Sequence, residues 1–330
     1  MKCKVCRDHA VVDIRRHNAA FCRDHFIEHV RSQVARTIKE FRMFVPDDRL
    51  LIAVSGGKDS LALWDMLLDF GYDTTGFYLD LGIGGYSTRS KEAAIAFADR
   101  SGAKLIVRSL ESEHGYTVPE LARLTGRVPC SGCGLNKRYE FNRTAIEEGF
   151  EVLVTGHNLD DEVATLFGNV LHWNTDMLGR QMPVLHERIL GNGDSARVAL
   201  VKKVKPLVRL AERETAAYAL LKGIDYVVEE CPMVEGNTQH RYKEAAALLE
   251  ESSPGTKQQF YFGFLKRAQT NFSVGDPHGD TEVVACVQCG APTVRGGDTS
   301  EPVCSFCKTK ALAHRKREQS RTSTRSQRRP

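Results

Sequence analysis

Apolar residues follow two rhythms along this chain. Between residues 50 and 170, short unbroken apolar runs alternate with longer segments in which apolar residues recur every three or four positions. The runs at 50–54, 75–80, 104–110 and 151–155 predict buried strands. The segments at 59–70, 88–100, 135–148 and 160–170 predict helices. Strands alternating with helices predict a parallel sheet covered on both faces. Upstream, residues 32–44 read as an amphipathic helix ended by Pro46-Asp47-Asp48. Residues 172–205 break the rhythm, and Trp173, a Gly-Asn-Gly and the cluster Lys202, Lys203 and Lys205 predict an inserted loop or hairpin. Residues 212–222 return to helix and 226–229 suggest a strand. Two further helices bracket Ser252-Ser253-Pro254-Gly255, a turn signal. A hydrophilic linker follows at 275–280. No internal repeat is visible beyond a loose symmetry between the cysteine-rich ends.

Composition narrows the class. With 330 residues, 42% hydrophobic, the chain can bury one large core or two smaller ones. A charged fraction of 27% excludes wholesale disorder. No apolar run is long enough to span a bilayer, and the cysteine-bearing start is no signal peptide, so a soluble cytoplasmic protein is expected. Net charge is +4, and the excess sits at the end: residues 308–330 hold nine basic residues and one acid. Such a tail suggests a polyanionic partner, with a solvated disordered end as the alternative.

The ten cysteines change the picture most. Cys3-x2-Cys6-x15-Cys22-x2-His25 and Cys286-x2-Cys289-x14-Cys304-x2-Cys307 each give two ligand pairs, the spacing of tetrahedral structural Zn2+. His9, His17 and His29 compete with His25 as the fourth ligand of the first set. Zinc units of this kind fold short segments that lack cores. Cys130-Ser131-Gly132-Cys133 and the distant Cys231 remain. A redox pair or zinc half-site leaves Cys231 unexplained. Three thiolates can hold a [4Fe-4S] cluster with one iron open, or one cysteine can carry a persulfide that another resolves. Lys137 lies one helical turn after Cys133, facing the same side. It could meet phosphates or an activated substrate, or be a surface lysine.

Ser55-Gly56-Gly57-Lys58-Asp59-Ser60 joins a buried strand to a helix. Two glycines allow a tight turn, and exposed N–H groups, the helix dipole and Lys58 converge on an anion site. The spacing is neither a Walker A loop nor a dinucleotide fingerprint. It resembles the PP-loop of the adenine-nucleotide alpha hydrolase superfamily, whose members cleave ATP between the alpha and beta phosphates. That resemblance implies an ATP and Mg2+ site made by Ser55, Gly56, Gly57, Lys58, Asp59 and Ser60. It favours Asp161 of Gly156-His157-Asn158-Leu159-Asp160-Asp161-Glu162 as an ATP or Mg2+ group, with Gly156 as backbone lining. Ala53 and Leu79 should flank the adenosine.

Taken together, the loop, the Cys-Ser-Gly-Cys-Gly-Leu-Asn-Lys-Arg-Tyr segment, the Glu-Cys-Pro cysteine and the paired cysteines at both ends resemble the TtuA/Ncs6-type tRNA 2-thiouridine synthetases of the TtcA/TtuA group. The likeness covers about residues 1–310. It implies a Rossmann-like PP-loop sheet flanked by two zinc-finger units. The expected organisation is a zinc finger at 1–30, an ATP-binding catalytic domain with the iron–sulfur site at 31–272, a second zinc finger at 273–312 and a basic disordered tail at 313–330. It implies a cluster on Cys130, Cys133 and Cys231, ATP contacts at Lys137 and Asp161, and a homodimer.

The implied reaction is adenylation of a tRNA uridine C2 oxygen followed by sulfur transfer to give 2-thiouridine, in the T-loop or at the wobble position. Asp59 and Asp161 would position the metal ion. The tail and the three lysines at 202–205 would hold the tRNA backbone. Sulfur would come from a ubiquitin-like thiocarboxylate protein, a desulfurase relay or sulfide. Two rivals are another PP-loop tRNA ligase, which needs no central cysteines, and a noncatalytic zinc RNA-binding protein, which turns over no ATP.

Overall fold

The computed structural model describes residues 1–191, 197–234, 238–272, 283–295 and 301–326. The linker expected at 275–280 lies outside them. In the first thirty residues β1 (Val12–Ile14) and β2 (Ala19–Phe21) form an antiparallel pair. Helix α1 (Arg23–Glu40) starts directly after Cys22, nine residues before the start the apolar pattern predicts at residue 32. The last cysteine of the terminal unit is therefore the N-cap of the helix that enters the next domain.

The central domain begins with β3 (Leu50–Val54), α2 (Lys58–Asp69), β4 (Thr74–Asp80), α3 (Gly84–Ser101) and β5 (Lys104–Ser109). Then come α4 (Leu110–His114), α5 (Val118–Thr125), α6 (Pro129–Glu147), β6 (Val152–Thr155) and α7 (Leu159–Leu171). The irregular stretch holds α8 (Thr175–Gly179), β7 (Val184–Leu185), β8 (Arg188–Leu190), β9 (Arg197–Leu200) and β10 (Lys202–Val204). Helices α9 (Glu212–Lys222), α10 (Thr238–Ser252), α11 (Thr256–Arg267) and α12 (Gln269–Phe272) follow. The last unit comprises β11 (Val283–Ala285), β12 (Pro292–Val294) and α13 (Ser305–Ser326).

The main sheet has the order β5-β4-β3-β6-β10-β7, parallel except for the antiparallel edge strand β7. Period-two alternation splits its strands between two cores. Leu50, Ile52, Val54, Val152 and Val154 enter one, while Leu51, Leu153, Phe77 and Leu79 enter the other. Each fully buried side chain contributes roughly 1.5–3 kcal/mol. Gly76 is fixed by packing, because a Cβ there would lie 2.3 Å from the Trp64 ring.

Both terminal units are tied to this domain. Arg16 bonds Glu214 of α9 at 2.6 Å, with both side chains almost wholly buried. At the other end Phe306 of α13 stacks on Tyr139 of α6, ring centroids 3.6 Å apart.

Four expectations change. The lysine cluster is not part of a loop: Lys202 and Lys203 belong to β10, the fifth parallel strand. Two of the cluster's three members already have partners. Lys205 is bound to the buried Glu162 at 2.7 and 2.8 Å, and Lys202 donates to the Arg42 carbonyl at 3.0 Å. Residues 226–229 form no strand; the Val227 N–H instead donates to the Gly56 carbonyl at 3.0 Å. Helix α6 begins at Pro129, so Cys130 and Cys133 lie in its first turn rather than ahead of it. The tail expected to be disordered from residue 313 is helical to Ser326, because Ala313 is buried and Arg317 pairs with Glu120 of α5 at 2.5 Å. Among the described residues, no helix is long and apolar enough to cross a membrane.

Candidate active site and metal sites

The chain leaves β3, builds the sheet outward through β4 and β5, and returns to the other side of β3 with β6. The strand order therefore reverses between β3 and β6. A crevice opens there at the strands' carboxyl ends, the place where open parallel sheets bind ligands. The loop after β3 is residues 55–57, leading into the first turn of α2, and the loop after β6 is Gly156-His157-Asn158. The two touch: a Cβ on Gly156 would lie 3.0 Å from the Ser60 nitrogen.

The phosphate loop is held by its own side chains. The Ser60 hydroxyl accepts from the Ser55 N–H at 3.2 Å and donates to the Gly57 carbonyl at 3.0 Å. Gly56 has φ +75°, and a Cβ there would meet the Ser90 carbonyl oxygen at 2.4 Å, so both conformation and space require glycine. Ala53 and Leu79 lie on the same sheet face beside the crevice. Leu79 is buried, so a ligand would meet mainly its backbone.

Charges cluster over this loop. Lys58 Nζ bonds Asp59 at 3.0 Å and Glu212 at 2.8 Å. Asp59 also accepts from Thr215 and from the Asn158 amide. Asp161 bonds Lys243 at 2.7 Å, and Lys243 reaches Glu212 at 3.0 Å. Burial pushes the Asp59 carboxyl up, with Asp161 adding to the rise and Lys58 opposing it. Three acids and two lysines thus join in one network over the loop, an arrangement suited to a phosphate chain and a divalent cation. The adjacent acids divide their work: Asp161 faces this cluster, whereas Asp160 is buried against Lys257 and accepts the Glu212 N–H at 2.8 Å.

Glu212 carries a pH prediction. Burial alone would raise its carboxyl, but Lys58 and Lys243 override that and hold it at about 2 instead of 4.5. Its contribution to stability is complete above pH 4.5 and is lost as pH falls towards 2. The carboxylate is partly exposed, so after screening we expect only about 0.5–1 kcal/mol. Urea unfolding at pH 6 and pH 3 should show wild type losing more stability than Glu212→Gln. Equal losses would contradict the assignment.

The three central cysteines come together on the other wall. Cys133, Cys231 and Met233 pack against the same core, and Cys130 Sγ lies 3.6 Å from the Met233 carbonyl oxygen. Burial pushes the Cys130 thiol up, and Cys133 and Cys231 act in the same direction. All three thiols are free. Their sulfurs do not converge on one point as the terminal sets do, which suits a cluster in which each thiolate binds a different iron. Lys137 stands among them: its charge acts on Cys130, on the Tyr86 hydroxyl and on His157. His157 is exposed, follows Gly156, which packs on Ser60, and feels the charge of Lys137. Burial and Lys205 push the neighbouring Lys203 down to about 8.

Each terminal set places four ligand atoms within 4.8 Å of one another. His25 Nδ1 lies 3.7 Å from Cys3 Sγ and 3.1 Å from Cys22 Sγ, and Cys6 and Cys22 are 3.7 Å apart. His25 therefore joins the three cysteines, while His17 and His29 pack edge to face beside Phe21. Cys289 and Cys304 are 3.6 Å apart. Tetrahedral zinc with sulfur at about 2.3 Å separates ligand sulfurs by roughly 3.8 Å, so both sets fit such an ion.

The structure thus brings the predicted loop residues and Asp161 together, and gathers Lys137 with the three cysteines across the cleft. Sequence reasoning missed Glu212, Thr215, Lys243, Tyr86 and His157. The first three come from α9 and α10, distant in sequence and without a motif. His157 lay inside a recognised motif but had no role.

Comparison with known proteins agrees with this geometry. Residues 28–246 match the PP-loop domain family, and residues 2–27 match the N-terminal LIM domain of the 2-thiouridine synthetase TtuA. The chain is 46% identical, over 93% of its length and 90% of the relative's, to the tRNA-5-methyluridine(54) 2-sulfurtransferase of Thermus thermophilus. It is 40% identical to the protein of that name from Pyrococcus horikoshii, over 93% of each chain. The solved U34-tRNA thiolase NcsA from Methanococcus maripaludis, with its [4Fe-4S] cluster, shares the fold at a TM-score of 0.75 and 23% identity, over 94% of this chain and 95% of that one. A family match over two-thirds of the chain, with 46% identity across nine-tenths of both chains, leaves one assignment: the chain belongs to the PP-loop family and, within it, to the TtuA/Ncs6-type tRNA 2-thiouridine synthetases.

Proposed function

We propose that this enzyme inserts sulfur at C2 of a tRNA uridine, using ATP to activate the oxygen that leaves, and that its target is the T-loop uridine. The observation that carries this reading is that Cys133 and Cys231 pack against the same core as Ala53 and Leu79, beside the phosphate loop. Likeness to relatives named for 5-methyluridine 54 supports the T-loop over the wobble position.

In this reading the loop N–H groups and Lys58 hold the phosphates of ATP. The uridine O2 attacks the alpha phosphate, and pyrophosphate leaves against Lys58 and the α2 N-terminus. Asp59 and Asp161 are the carboxylates that would hold Mg2+, which adds charge neutralisation at the phosphates. Adenylation converts a poor oxygen leaving group into AMP. Lys137, between the cysteines and His157, faces the developing charge on the base. Cys130, Cys133 and Cys231 would hold a [4Fe-4S] cluster, which would supply Lewis-acidic iron to carry the donor's sulfide; that sulfide replaces O2 at C2 as AMP leaves. Cys3, Cys6, Cys22 and His25 would hold one Zn2+, and Cys286, Cys289, Cys304 and Cys307 the other. The target base must leave its stack to enter the cleft. The basic face of α13 is a candidate contact for the tRNA backbone.

The test is product analysis of the nucleotide. With tRNA present, ATP should yield AMP and pyrophosphate in step with sulfur insertion. ADP and phosphate, or turnover indifferent to tRNA, would contradict the reading.

A further inference from the structure

The hydrogen-bonding state of His157 is biased by two neighbours, Thr155 and the Val204 carbonyl. The Val204 carbonyl can only accept, so the Thr155 hydroxyl, 3.3 Å away, donates its proton there. The Thr155 oxygen then faces His157 Nδ1 at 2.9 Å as an acceptor. Both bonds are made together only when Nδ1 carries the imidazole proton, which leaves Nε2 as a bare lone pair. The imidazole stays neutral, because burial pushes its titration down to about 3 and Lys203 and Lys205 add to the effect. Among the described residues no donor is paired with Nε2.

The location matters as much as the state. His157 follows Gly156, which touches the phosphate loop, and feels Lys137 from the cysteine wall. In the proposed reaction a pyrimidine with its O2 at the alpha phosphate and its C2 turned to the cysteines would come beside Gly156 and Lys137, and so beside His157. Uracil presents an N3–H donor next to that O2. Cytosine presents a lone pair there, although its O2 is the same.

Resting on the function proposed above, we propose that His157 is the specificity-determining residue that accepts the N3–H of the target uracil through Nε2, and that Thr155 and the Val204 carbonyl fix the tautomer needed to reject cytosine. Cytosine would set two lone pairs against each other, and one such pairing is worth about 10- to 100-fold in discrimination.

The experiment uses the cluster-loaded enzyme, ATP, sulfide and an equimolar mixture of two full-length tRNA transcripts. They differ only in carrying uridine or cytidine at the modified position. Mass analysis of the digested fragments reads sulfur in each. Wild type should favour uridine by about 100-fold or more, and His157→Gln, whose amide can turn to donate or accept, should lower that ratio by about tenfold. Thr155→Val is the second variant. It keeps the histidine and the packing but frees the tautomer, and should lower the ratio several-fold. Uridine thiolation in the same tube reports that each variant is folded. An unchanged ratio, or cytidine still free of sulfur in both variants, would overturn the inference while leaving the function intact. No sulfur on either RNA with wild type would instead overturn the function on which the inference rests.

Discussion

Replacing Cys231 by alanine is expected to lower sulfur insertion by about 10³-fold or more, roughly 4 kcal/mol in the barrier, while ATP binding changes by less than about threefold. The separation follows from where the groups sit. Cys231 shares a wall with Cys130 and Cys133, whereas the phosphate loop depends on β3, α2 and the bonds from Ser60, Glu212 and Thr215. Cys130→Ala and Cys133→Ala should behave alike. Calorimetry with ATP and mass analysis of the tRNA read the two effects independently. A Cys231 variant that thiolates at the wild-type rate would remove the cluster from the reaction. Equal loss of ATP binding would show that the two walls are one structural unit.

The second large effect is indirect. Cys304→Ser is expected to lower bound zinc from two ions to one and to reduce iron loading by about half or more, although Cys304 is not a ligand of the cluster site. Cys286, Cys304 and Cys307 pack with Phe306 against Leu135 and Tyr139 of α6, the helix whose first turn carries Cys130 and Cys133. The buried His114–Glu140 bond at 2.7 Å and the Lys310 contact to His114 at 3.2 Å join the same interface. Without the zinc unit, α6 loses the support behind its cysteines. Metal analysis of soluble protein checks this. Full iron with half the zinc would show that the terminal unit is energetically separate.

Much of this architecture is legible in the sequence, and the failures have physical reasons. Leu50–Val54 and the run at 151–155 read as buried strands because both faces of the sheet are covered, so almost every position is apolar. Strand β10 escapes that logic. Two of its three residues are lysines: one donates to a backbone carbonyl, and burial pushes the other down to about 8. The start of α6 was marked by Pro129, a residue favoured in the first helical turn. The polar spacing around the cysteines hid it. The basic C-terminal segment looks disordered by composition, but a few apolar positions and Arg317 dock it on α5. The loop and the metal sets were visible because their chemistry fixes both residue type and spacing. Glu212 and Lys243 were invisible because a charged residue on a helix says nothing of its distant partner.

The most direct test of the central claim is the mass of the tRNA itself. Unmodified tRNA, ATP and sulfide would be incubated anaerobically with iron-reconstituted enzyme, and the tRNA digested into fragments. The account predicts one oxygen replaced by sulfur in the T-loop fragment and none elsewhere. Sulfur confined to the anticodon fragment would contradict the proposed target, and no sulfur in any fragment, with the cluster shown to be present, would contradict the proposed reaction.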